Sequence, residues 1–295
     1  MAIKSVSVFL KPNFGSDIQQ VLTNLHNYLS RKKVTISIHL SYEAKVVKFL
    51  KPSKYLNFTD SKKDLYESQL IISLGGDGTL LGAIRNLGRK SPPVFGINMG
   101  KLGFITEFSK HEFFEELENV FKNKYQIADV DQYQADLMRN GKRVFRGYFI
   151  NDAVFTQSEI SRMITLDVSS GPEKIYDISG DGLIVSTPIG STAYSLAAGG
   201  PIIHPNVKGF VLTPICPHSL NYRPIVVSNK REISVRSSKK QDNLKLTLDG
   251  QVVLNLEPGD NAIIKKRSGH IVKFIKNPHR NFFQTLKEKF TYGRR

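Results

Sequence analysis

The chain has one cysteine, Cys216, and no tryptophan among its 295 residues. A lone cysteine excludes an intrachain disulfide and fits a reducing compartment. No apolar run approaches the ~18 residues that a membrane-spanning helix needs. The opening "MAIKSVSVFLKPNF" is too short and too interrupted for the apolar core of a secretory leader. No His/Cys cluster has the spacing of a metal site, so no metal ligands are assigned. Together these absences set the expectation of a cytoplasmic protein without membrane contact. Acidic residues are also few, 26 against 42 lysines and arginines, for a net charge of +16. Such an excess raises the question of a nucleic-acid surface. The densest basic stretches, "SNKREISVRSSKKQ" and "KKRSGH", lack the interleaved aromatics that stack bases. The expectation is therefore solvated lysines and no nucleic-acid partner, with a positive field that speeds the arrival of anionic small molecules.

What is present is enough for proper cores, with 40% apolar and 10% aromatic residues. The first part alternates strand and helix patterns. "SVSVFLKP" reads as a buried strand, "SDIQQVLTNLHNYLSRK" as a helix, "VTISIHL" and "QLIISL" as further strands, and "PVFGIN" as the strand that closes a βαβ unit. That order implies a parallel sheet with right-handed crossovers. From about residue 130 the texture becomes β-rich, beginning with an Asn140-Gly141 hairpin signal between two strand-like runs. The expected organisation is an α/β domain over 1–128 and a mostly β domain over 129–280. A helix or tail would follow over 281–295.

Three motifs carry chemistry. The first is "QLIISLGGDGTLLGAIRNLG", residues 69–88. It lacks the G-x-G-x-x-G spacing of a dinucleotide loop and the lysine of a Walker loop. A plain glycine turn between strand and helix would explain Gly75 and Gly78 but not Asp77. Free N–H groups at a helix start hold phosphate oxygens, while a carboxylate at the tip accepts a proton from an attacking hydroxyl or holds a metal. The second motif is "FINDAVF", whose Asn151-Asp152 pair combines acceptors with an amide donor and so suits a ribose. The third, "ISGDGLIVSTPIGSTAYSLAAGGPIIHP" (178–205), has small residues and hydroxyls in series, which let backbone approach a ligand closely.

"GGDGTLLGA" followed by "GINMGKLGFIT" resembles the signature pair of the NAD kinase family, and the third motif is similar to that family's substrate loop over almost its whole length. The glycine-aspartate-glycine loop alone also occurs in phosphofructokinase-like and in diacylglycerol and sphingosine kinase-like enzymes; the downstream motifs decide among them. The resemblance covers roughly residues 65 to 280. It implies transfer of the γ-phosphoryl group of ATP to the 2′-hydroxyl of the adenosine ribose of NAD, giving NADP. Polyphosphate stays open as an alternative donor.

On that resemblance Asp77 is the general base, and Gly75, Gly76, Gly78 and Thr79 hold phosphate. Asn151 and Asp152 bind the nucleotide, and Asp181 meets the nicotinamide-side carboxamide or ribose. Thr192, Ala193, Tyr194, Ser195, Leu196 and Ala197 surround the dinucleotide, with Tyr194 as a packing surface, and Gln251 of "DGQ" reaches the same pocket. Arg162 falls where the family often has a polar or basic residue near the ligand, and Ser179 where some relatives carry arginine. Ile189 replaces the threonine common in "STPTGSTAY"-type loops. A divalent cation, Mg²⁺ by preference, and a homo-oligomer (dimer or tetramer) are also implied. Two rivals differ in substrate or class. They are a kinase of the same loop acting on a lipid or sugar hydroxyl, and a dinucleotide sensor without turnover.

Overall fold

The run Leu70–Gly75 is buried throughout and apolar but for Ser73, as suits a strand covered on both faces. In the computed structural model it is an interior strand of a parallel sheet. The structure describes residues 3–89, 91–101, 103–157, 163–219, 221–237 and 244–291. They form two compact units, 1–130 with 269–295, and 131–268.

The first unit begins with β1 (Ser5–Leu10), α1 (Ser16–Arg31), β2 (Thr35–His39), α2 (Glu43–Val46), β3 (Leu56–Thr59) and α3 (Lys62–Tyr66). It continues with β4 (Leu70–Gly75), α4 (Asp77–Ile84), β5 (Pro93–Asn98), β6 (Phe108–Ser109) and α5 (Phe113–Phe121). Helix α1 forms where apolar residues recur at helical spacing, and its buried stripe Ile18, Val21, Leu22, Leu25 and Leu29 covers the sheet. The strands run parallel in the order β5-β4-β1-β2-β3. The chain lays β2 and β3 on one side of β1, then returns to lay β4 and β5 on the other. In open parallel sheets a ligand crevice opens at the carboxyl ends of the strands where the order reverses, here between β1 and β4.

The second unit is almost all β. Its elements are β7 (Gln126–Arg139), β8 (Lys142–Phe149), β9 (Asp152–Gln157), β10 (Ile164–Ser170), β11 (Glu173–Gly180), β12 (Gly182–Ser186), α6 (Tyr194–Ala197) and β13 (Gly209–Ile215). Next come β14 (Ile225–Ser228), β15 (Ile233–Ser237), β16 (Leu244–Leu248), β17 (Val252–Leu256) and β18 (Asn261–Lys276). One sheet has the order β14-β13-β12-β9-β16-β17, with antiparallel pairing throughout. The other runs β11-β10-β15-β18, antiparallel, with the β7–β8 hairpin alongside. That hairpin turns at Asn140-Gly141, both at positive φ, as the sequence predicts for a type I′ turn. Their buried faces share one core that includes Phe149, Phe155, Leu183, Phe210 and Leu246.

The α/β architecture with a parallel sheet, followed by a mostly β part, is the fold class expected from the sequence. Strand β18 adds a feature that a linear reading does not show. Its first half pairs with β15, and Lys273-Phe274 pairs parallel with β5. The first unit is thus discontinuous in sequence, and α7 (Phe282–Thr291) belongs to it.

Candidate active site

The first unit has a cavity of about 590 Å³ at the predicted crevice. Its wall is built from three chain segments. Lys11 to Ile18 follow β1, Gly75, Gly76, Gly78 and Thr79 follow β4, and Asn98 to Lys101 follow β5. Both helices starting there have glycine N-caps, Gly15 for α1 and Gly76 for α4, and neither glycine supplies a side-chain cap. Gly75 has no room for a side chain, since a Cβ there would lie 2.2 Å from the Thr79 hydroxyl oxygen. The loop read as a phosphate seat therefore lines a real concavity, together with Lys11 and Lys101.

Asp77, the first residue of α4, does not line this cavity. Its carboxylate turns into the "GFIT" loop. Oδ2 accepts the N–H of Phe104 at 2.8 Å, and Oδ1 accepts the N–H groups of Ile105 at 3.3 Å and Thr106 at 3.0 Å and the Thr106 hydroxyl at 2.7 Å. Thr106 Oγ1 in turn accepts from Asn98 Nδ2 at 2.8 Å. The second glycine motif thereby acquires a physical purpose, because a Cβ on Gly103 would come within 1.8 Å of Asp77 Oδ1 and 2.3 Å of Thr106 Oγ1. Gly103→Ala is expected to break this clasp and to cost about 1–3 kcal/mol of stability, the range for stranding buried hydrogen-bonding groups. Urea unfolding would measure it; a loss under about 0.5 kcal/mol, the level of an ordinary surface change, would show that the clasp carries no weight.

The second unit has its own cavity, about 450 Å³, lined by Asn151, Asp152, Val154, Thr156, Ala193, Tyr194, Thr247, Asp249 and Gly250. The segment before β9 is held on both sides. Asp249 accepts the N–H groups of Ile150, Asn151 and Asp152, while Thr187 donates its hydroxyl to the Ile150 carbonyl and its N–H to that of Asn151. Gly190 must be glycine, because a Cβ there would sit 2.0 Å from the Asn151 carbonyl oxygen. Asp152 is only 4% exposed, and its carboxyl oxygens have no hydrogen-bond partner among the described residues. Burial, and then the neighbouring Asp249 carboxylate, push its pKa up to about 7.

Comparison with known proteins fixes the family. Residues 18–125 match the model of the ATP-NAD kinase N-terminal domain and residues 150–277 that of the C-terminal domain. An NAD kinase of Solibacter usitatus (strain Ellin6076) is 36% identical over 296 residues, covering 99% of each chain. This chain belongs to the NAD kinase family. An NAD kinase of Magnetococcus marinus is 41% identical over 232 residues, which cover 78% of this chain and 76% of that one. Among solved structures, an NAD kinase from Archaeoglobus fulgidus in complex with ATP aligns with a TM-score of 0.74 at 25% identity, covering 97% of this chain and 98% of that one. The yeast NADH kinase complexed with NADH has the same fold, with a TM-score of 0.90 at 23% identity over 100% of this chain and 89% of that one.

Within this NAD kinase fold the residues expected from the motifs fall into three groups. Gly75, Gly76, Gly78 and Thr79 share one cavity, and Asn151, Asp152, Ala193 and Tyr194 share the other. Several more lie outside the cavity linings. Ser195 is fully buried and its hydroxyl is bonded to that of Thr213 at 2.8 Å. Thr192 caps its own turn by donating to the Ile189 carbonyl, and Leu196 and Ala197 continue α6. Ser179 pairs its hydroxyl with Thr165, Asp181 donates its N–H to the Ile215 carbonyl, and Gln251 closes the β16–β17 turn. Arg162 lies outside the described residues. The structure adds Lys11, Lys101 and Asp249 to the linings. For Lys11 a signal was at hand, since it directly follows β1 as Gly75 ends β4, and the βαβ order puts both at the reversal point.

Proposed function

We propose that the chain's cavity-lining glycine loop receives the donor phosphates and that Asp77 takes the acceptor's proton. As an NAD kinase the chain converts NAD to NADP with ATP as donor. The 2′-oxygen of the adenosine ribose attacks the γ-phosphorus, the bond to the β,γ-bridging oxygen breaks, and ADP leaves. The proton of the hydroxyl passes to Asp77. The observation that carries this role is the count of acceptor positions on Asp77. Oδ1 takes three donors and Oδ2 takes one, which leaves Oδ2 with capacity for a further donor such as a ribose hydroxyl. Lys11 and Lys101 supply positive charge beside the phosphate seat. Asn151 and the Asp152 carboxyl grip a ribose diol, and Tyr194 offers its ring as a packing surface.

A divalent cation fits the first cavity as a passenger on phosphate. Among its lining residues Asp17 is the single carboxylate, and Asn13, Ser16, Thr79 and Asn98 add neutral oxygens. Among the described residues no group of three or more His, Cys, Asp or Glu forms a metal cage. Such a donor set suits Mg²⁺ retaining most of its water. Bound there, it would offset the phosphates' negative charge. We also read the protein as a cytoplasmic homo-oligomer, dimer or tetramer. The family resemblance supports the assembly, and no helix among the described residues is long and apolar enough to cross a membrane.

Incubating the purified chain with NAD, ATP and Mg²⁺ is expected to yield NADP, detected with an NADP-specific dehydrogenase. Tight NAD binding without any NADP would favour the sensor, and product only from a lipid or sugar alcohol would favour the other kinases of this loop.

A further inference from the structure

The motif reading gives a role to Gln251 alone, yet Asp249 opens the "DGQ" stretch and lines the second cavity. It is itself buried, 8% exposed, at the first position of the Asp249-Gly250 turn, where both residues have positive φ. A type I′ turn needs Asn, Asp or Gly at that position, so the turn alone would accept an uncharged residue. Its carboxylate nonetheless aims at three consecutive N–H groups of another strand, at 3.1 Å to Ile150, 2.7 Å to Asn151 and 3.3 Å to Asp152. The bond is returned, since the Asp249 N–H donates to the Asp152 carbonyl at 3.0 Å. Placing one carboxylate beside another buried one is costly unless the site uses both.

We propose that Asp249 is a positioning residue of the acceptor site: it fixes the backbone of Ile150 to Asp152 so that Asn151 and Asp152 meet the ribose in one register. Three successive N–H groups on one acceptor leave the segment no freedom to rotate about its peptide planes. Thr187 and Gly190 hold the opposite edge of the same segment. Among the described lining residues, Asp249 from the β16–β17 turn and Tyr194 from α6 are the other titratable side chains beside Asp152.

The inference rests on the placement of the acceptor ribose at Asn151 and Asp152, and the test separates the two. NAD binding to the full chain without ATP is measured by calorimetry on both sides of neutral pH. For the wild-type chain affinity is expected to change around the Asp152 midpoint of about 7. Asp249→Asn keeps a residue that tolerates positive φ and removes the charge. It is expected to weaken NAD binding about 10–100-fold and to lower the midpoint by at least about half a pH unit. A residue that only shaped the turn would lower thermal stability and leave the midpoint in place, and that result overturns the proposal. Asp152→Asn is expected to weaken binding and flatten the pH profile. If Asp152→Asn leaves both as in wild type, the ribose placement itself is wrong; if it flattens the profile while Asp249→Asn changes nothing, only the role of Asp249 fails. Asp249→Gly, which also accepts the turn's φ, repeats the measurement should Asp249→Asn not fold.

Discussion

Replacing Asp77 by asparagine is expected to lower kcat by about 10²–10⁴-fold, the usual contribution of a positioned base, with KM for NAD nearly unchanged. The carboxylate accepts all four donors of the 104–106 turn on two oxygens, where an amide has only one to offer them. The variant therefore also loses about 1–3 kcal/mol of stability from mismatched donors. Chemistry and fold must then be told apart. Thr106→Val provides the control, since it removes the donor at 2.7 Å and leaves the carboxylate in place. Thr106 is fully buried and accepts from Asn98, so its loss should cost about 1–2 kcal/mol as well. Its kcat should fall less than about tenfold, the factor carried by ~1.4 kcal/mol. Equal kcat losses in the two variants, measured by NADP formation at saturating ATP, would reduce Asp77 to a clasp for the second glycine motif.

The sequence was most legible where a residue type has a single physical reason to be present. The run of β4, apolar but for Ser73, marked a strand buried on both faces. Asn140-Gly141 marked a hairpin because few other pairs accept two positive φ values in succession. The glycines of the first motif marked a loop of close backbone approach, and a cavity lies against them. Less legible were residues whose partners are distant in sequence. Nothing local to Gly103 announces that its missing Cβ makes room for a carboxylate 26 residues earlier in the chain. Asp249 lies 97 residues from Asp152, and only the register of β16 against β9 brings them together. The long motif at 178–205 was legible only in part. Its hydroxyl residues invite a reading as ligand donors, yet Ser186, Thr187, Ser191 and Ser195 spend their hydroxyls on the protein's own carbonyls or on Thr213. A buried hydroxyl finds a partner wherever one is close, and spacing along the chain does not reveal whether that partner is substrate or backbone.

Stability should depend on pH through Asp152 in the direction opposite to most carboxylates. Its folded pKa is about 7 against an ordinary 3.8. Between those values the folded chain holds a proton that the unfolded chain has released, so stability falls as pH rises through that window. The penalty is absent below the lower value and complete above the upper one. Its full size is on the order of 4 kcal/mol, at about 1.4 kcal/mol per pKa unit. Asp152→Asn keeps the shape and cannot ionise. Relative to wild type it should gain about 2–4 kcal/mol in urea unfolding near pH 9 and nothing near pH 4. A gain independent of pH would mean that the carboxyl is already solvated in the folded chain. The same energy bears on binding. A side chain that titrates near neutrality donates to a ribose oxygen when protonated and accepts from a hydroxyl when ionised. Hydrogen bonds from the ribose to the ionised form offset its burial cost and pull the pKa down. NAD should therefore stabilise the wild-type chain more at high pH than at low pH, and Asp152→Asn should abolish that difference, as thermal shifts with and without NAD would report.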